Sequence, residues 1–176
     1  MNQESNPPPL QIAVIGAGRA DDRLRDLAFR TGEAIARSGA ALVCGGLGGV
    51  MEAASRGARA AGGMVVGILP GTDAQVSPPN DAVSVAVYTG MGQARNLAVV
   101  LSAAAAIAVG GSWGTLSEIA LALKHGIPVV TLESWTLTRP DGRPEPRLRQ
   151  ATTPGEAVAL ALELADRHRL GVRSAG

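Results

Sequence analysis

The feature that most constrains this chain is a series of short, wholly apolar runs, rich in β-branched residues, that each stop at a glycine. Ile12-Ala-Val-Ile15 ends at Gly16, Ala41-Leu-Val-Cys44 at Gly45, and Ala104 to Val109 at Gly110. A strand with one wet face alternates apolar and polar residues, whereas one apolar at every position fits a parallel sheet covered on both faces. Segments of helical period lie between the runs. Leu24, Leu27, Ala28, Ala34 and Ile35 follow Asp21 and Asp22, either of which can cap, and Gly39 stops them. An alanine-rich helix is predicted to about Ala61, closed by Gly62-Gly63. Met64 to Ile68, Val83 to Val87 and Pro128 to Leu132 complete six predicted strands, and Met91 to Ser102 and Thr115 to His125 read as helices. Arg139 to Arg149, with three prolines, reads as an exposed loop. Thr153-Pro154-Gly155-Glu156 has the form of a capping box with proline at the first helical position, opening a last helix to about Arg167. This alternation predicts one α/β domain over residues 10–170: a Rossmann-like, doubly wound parallel sheet with helices on both faces. Flexible tails are expected at residues 1–9 and 171–176.

Composition then removes several functions. Lysine and arginine number 16 against 15 acidic residues, and aromatics are 2% of the chain, so neither a basic stripe nor stacking platforms for nucleic acid are expected. Cys44 is the only cysteine, which fits a reducing compartment, and with His125 and His168 far apart in sequence no metal cluster is expected. The N-terminus lacks the basic start and apolar core of a signal peptide. The apolar run Leu97 to Val109 is shorter than the roughly 18 residues of a membrane span. A cytoplasmic protein, with no membrane partner, is expected.

In open parallel sheets ligands bind outside the carboxyl ends of the strands. Three glycine-rich segments leave strands and enter helices: Gly16-Ala17-Gly18, Cys44 to Gly49, and Gly110-Gly111-Ser112-Trp113-Gly114-Thr115. Glycine lets backbone approach a ligand, and amides at a helix N-terminus attract phosphate oxygens. A dinucleotide fingerprint is incomplete, because Asp21 stands where the third glycine belongs and Cys44-Gly45-Gly46 replaces the acidic residue that would hold a ribose. No glycine loop ends in Lys-Ser or Lys-Thr, so a triphosphate-hydrolysing P-loop is absent as well.

Gly110-Gly111-Ser112-Trp113-Gly114-Thr115-Leu116-Ser117-Glu118 resembles the GGxGTxxE signature of the LOG-like superfamily. That superfamily holds the Lonely Guy phosphoribohydrolases, often labelled lysine decarboxylases, and the molybdenum-cofactor carrier proteins. Met91-Gly92-Gln93-Ala94-Arg95-Asn96 resembles its arginine-bearing helix start, and Gly45 to Glu52, with Gly67 to Gly71 beyond, its second glycine loop and third strand. The resemblance spans about residues 10 to 133 in the family's order. Val109 stands where phosphoribohydrolases carry proline, Glu52 where they carry glycine and Asn96 where they carry lysine. These departures place the chain nearest the branch of the molybdenum-cofactor carriers.

The resemblance implies a phosphorylated, nucleotide-like ligand. Arg95 and Glu118 are the implied catalytic pair. Gly16, Gly18, Gly45, Gly46, Gly48, Met51, Asn96, Gly110, Gly111, Ser112, Gly114 and Thr115 are the implied binding residues. Trp113 and Tyr88 can shape the pocket, although apolar filling is the default reading of both. Two activities remain open. The first is hydrolysis of the N-glycosidic bond of a nucleoside 5′-monophosphate, with Glu118 acting on water and the sugar cation. The second is carriage of the molybdenum cofactor, a phosphorylated pterin, as uncleaved cargo; no other cofactor is required. Glu118 has a purely structural alternative, since Thr115-x-x-Glu118 is also a capping-box pattern. Assembly as a homodimer or homotetramer is implied too.

Overall fold

The structure, a computed structural model, describes the backbone of residues 8–174 and the side chains of residues 8–167. Seven strands form one parallel sheet: β1 (Gln11–Gly16), β2 (Ala41–Cys44), β3 (Val65–Leu69), β4 (Val85–Tyr88), β5 (Ala105–Val109), β6 (Val129–Leu132) and β7 (Leu148–Ala151). Their order is β4-β3-β2-β1-β5-β6-β7. The fold is therefore the expected Rossmann-like α/β sheet. The order reverses between β1 and β5, whose pairing of Gly16 with Val109 makes the loops that follow leave the sheet at one level.

Helices α1 (Asp22–Arg37), α2 (Val50–Ala60) and α5 (Pro154–Ser174) cover one face, and α3 (Arg95–Leu101) and α4 (Trp113–Lys124) the other. β1, β2, β5 and β6 are sandwiched between these layers, which is why Ile12, Val43, Ile107 and Val129 are all fully buried. Asp21 caps α1 by accepting from the Leu24 amide at 2.8 Å. The first two helices approach closely through glycine: a Cβ on Gly32 would strike the Ala54 carbonyl, and one on Gly57 the Phe29 carbonyl.

Three expectations need correction. The segment read as a loop to Arg149 contains the start of β7, whose residues Leu-Arg-Gln-Ala lack an apolar run because Arg149 and Gln150 are exposed rather than covered by a helix layer. The helix expected from Met91 begins instead as a single 3-10 turn, Gly92–Ala94, before α3. Residues 171–174 are no tail but the end of α5, since one Gly171 costs a helix only about 1 kcal/mol and no proline follows. Residues 1–7 and 175–176 of the expected tails, and the His168 side chain, lie outside the described residues.

Candidate ligand-binding site

A cavity of about 490 Å³ opens at the carboxyl ends of the strands, beside the β1/β5 reversal. The expected residues Gly16, Gly18, Met51, Arg95, Asn96, Ser112, Gly114, Thr115 and Glu118 line it together, with Leu47, Pro70, Gly92, Gln93 and Trp113. The last five were not singled out as binding residues, although all of them stand inside the quoted motifs.

Gly45, Gly46, Gly48, Gly110 and Gly111 do not line the cavity. Their roles are mechanical or lie in the sheet. The Gly46 amide donates to the Cys44 sulfur at 3.4 Å, and its carbonyl accepts from the Asn80 amide at 2.8 Å. Gly48 sits beside the Gly18 carbonyl. The Gly110 amide extends the ladder by donating to the Leu132 carbonyl at 3.1 Å, in a left-handed turn of φ 66°. Gly111 leaves room for the Trp135 ring, which a Cβ would meet at 3.0 Å. Gly45 supports the site from behind, because any Cβ there would strike the Arg95 guanidinium.

The third loop also carries a different cap from the one its pattern suggests. Ser112 is the N-cap of α4, its hydroxyl accepting from the Thr115 amide at 3.2 Å and lying 3.0 Å from the Thr115 hydroxyl. Thr115 is thus engaged by Ser112 through both polar groups, and neither its amide nor that of Gly110 is free for phosphate. Among the described residues the amides of Gly111, Ser112, Trp113 and Gly114 make no hydrogen bond to the protein. Three of these stand at the wall of the cavity, at the positive end of a twelve-residue helix.

With Ser112 as cap, Glu118 lies in the second turn and cannot close a capping box with Thr115. It is buried, 7% exposed, and turned to the cavity. Arg95 is equally buried, and its Nη1 stands 3.9 Å from Glu118 Oε1, an ion pair too long for a hydrogen bond. The Arg95 Nε is enclosed without an acceptor among the described residues. A buried guanidinium normally uses its planar fork. The terminal nitrogens of Arg95, which make no hydrogen bond to the protein among the described residues, are the part of it that can meet an oxyanion in the cavity. Burial pushes the Glu118 carboxyl up to about 7 against the opposing attraction of Arg95, and burial likewise lowers Arg95 against the pull of Glu118. The pocket is therefore net positive below neutrality and balanced above it. Glu52, one of the departures from the phosphoribohydrolase pattern, faces away and pairs with Arg56 at 2.9 Å.

A profile of the SLOG cluster4 family matches residues 9–158. A protein of Archaeoglobus fulgidus, described only as uncharacterized, is 49% identical over 124 residues, which cover 70% of this chain and 80% of that protein. Two solved structures resemble it along nearly their whole length. The molybdenum cofactor binding protein from the phototrophic bacterium Rippkaea orientalis is 35% identical with a TM-score of 0.79, over 89% of this chain and 97% of that one. The molybdenum cofactor carrier protein of Chlamydomonas reinhardtii is 33% identical with a TM-score of 0.77, over 90% of this chain and 99% of that one.

Proposed function

The chain belongs to the SLOG cluster4 family, and from that membership and the chemistry of its cavity we propose that it binds the molybdenum cofactor as cargo, without cleaving it. The observation that carries this reading is the Arg95 guanidinium, which makes no hydrogen bond to the protein among the described residues, at the wall of a cavity of about 490 Å³ that the free amides of the α4 N-terminus also line. A phosphorylated pterin supplies the missing acceptors through its phosphate. The α4 amides and Arg95 hold that phosphate, and Gln93 and Asn96, whose side-chain amides make no protein hydrogen bond among the described residues, face the rest of the ligand. The names of the two solved relatives favour carriage over the nucleotide hydrolysis that the sequence motifs left open.

In this reading Glu118 is a binding group. Protonated below neutrality it donates to a phosphate oxygen; ionised above it, it repels the dianion and neutralises Arg95. The protein works in the cytoplasm as a homodimer or homotetramer. Val85, Val87 and Leu101, all exposed and apolar, support an assembly, and no helix of the described residues is long and apolar enough to cross a membrane.

Anaerobic purification from a cofactor-producing host, followed by metal and pterin analysis, tests the proposal. Wild-type protein is expected to hold molybdenum and pterin, and Arg95→Ala to bind about 10- to 100-fold more weakly, as expected for losing a charged hydrogen bond. Protein that stays empty under every loading condition, yet releases ribose 5-phosphate from nucleoside 5′-monophosphates, overturns carriage in favour of hydrolysis.

A further inference from the structure

Trp113 is the most exposed large apolar side chain of the described residues, at 78%, and it stands on the cavity wall. Filling the core does not explain it, because it belongs to neither buried cluster, whereas Trp135 packs against one of them. A tryptophan left this open gives up a large favourable burial.

The ring is nevertheless held. Trp135 donates from Nε1 to the Ser112 carbonyl at 3.2 Å, directly before Trp113 in the chain. The two ring centroids lie 5.4 Å apart, tilted by 35°. Gly111 leaves the space in which the Trp135 indole sits. The chain holds two tryptophans, one tyrosine and one phenylalanine, and the fold brings both tryptophans to this one rim. A ring fixed in place by its neighbour loses little freedom when a ligand covers it.

We infer that the Trp113 indole is a stacking platform at the cavity mouth, so that the site selects a flat fused-ring heterocycle bearing phosphate over a bare sugar phosphate or free anion. This rests on the phosphorylated-ligand reading above and adds the element that discriminates among such ligands. Phosphate and ring are then read by one loop: its free amides take the anion, and the indole between them takes the π-face.

The test uses a matched pair of probes, 6-hydroxymethylpterin diphosphate and inorganic pyrophosphate, titrated calorimetrically into wild-type protein, Trp113→Ala and Trp113→Phe. Stacking of a base on an aromatic side chain implies that Trp113→Ala weakens the pterin probe by about tenfold, leaves pyrophosphate unchanged, and is largely rescued by Trp113→Phe. Wild-type tryptophan fluorescence should also be quenched by the pterin probe and not by pyrophosphate.

The inference is overturned if Trp113→Ala binds the pterin probe normally, or weakens both probes alike, which would mark a structural role in the loop. It is equally overturned if wild-type protein does not prefer the pterin probe to pyrophosphate. Loss of an oligomer on light scattering of Trp113→Ala would make the residue an interface contact instead. Wild-type protein that binds neither probe removes the phosphorylated-ligand reading itself, and the platform falls with it.

Discussion

Among single side chains, burial acts on Arg95 and Glu118 in opposing directions, and the imbalance can be measured. Glu118 titrates at about 7 in the fold and at 4.5 in the unfolded chain, because desolvation outweighs Arg95. A carboxyl with a raised folded value contributes stability that is fully present below pH 4.5 and lost as pH rises through about 7. The ligand-free protein should lose about 3 kcal/mol from this group across that window. In urea melts at pH 5 and pH 8 the wild type should fall relative to Glu118→Gln, which keeps the shape without the charge. Equal pH dependence in the two proteins would show that Glu118 is solvated. Cys44 is fully buried, with its thiol pushed up by burial, so it is an inert residue of the core. The residue types at the site were legible in the chain. Which glycines line the cavity was not, because the same glycine pattern serves a ladder at Gly110, a ring contact at Gly111 and a guanidinium at Gly45.

At the scale of elements, the start of α4 shapes the site and the α1–α2 contact holds the helix layer behind it. The Ser112 hydroxyl caps α4 and fixes Thr115, so Ser112→Ala should cost about 1 kcal/mol of stability, read as a lower urea midpoint. The α1–α2 contact is less forgiving. Gly32 and Gly57 each face backbone of the opposite helix, which no rotamer change can move aside. Gly57→Leu should force α1 and α2 apart at a cost of about 3 kcal/mol. A melting temperature within error of wild type would mean that the helices can separate freely. The five inner strands were readable because two-sided burial demands continuous apolar runs, and the edge strand β4 because Val85 to Tyr88 is apolar although half open. β7 was not, since Arg149 and Gln150 stand exposed and need no apolar side chain.

For the molecule as a whole, the exposed Val85 and Val87 lie on an edge strand, on the face that α3 and α4 cover elsewhere. Light scattering is expected to give a dimer or tetramer mass, and a monomer at every concentration would remove that part of the proposal. By itself the sequence determined the layered α/β sheet and the edge of the sheet at which the glycine loops gather, and its motifs singled out Arg95 and Glu118 without showing that they meet. Each of these depends on local pattern: apolar period, a glycine after a strand, a motif within a few residues. Only the tertiary structure decided that Ser112 caps α4, that Arg95 stands unsatisfied 3.9 Å from Glu118, and that Trp113 and Trp135 meet at one rim. Hydrogen-bond ownership and burial depend on which distant segments arrive at the same place, and no spacing along the chain encodes that directly.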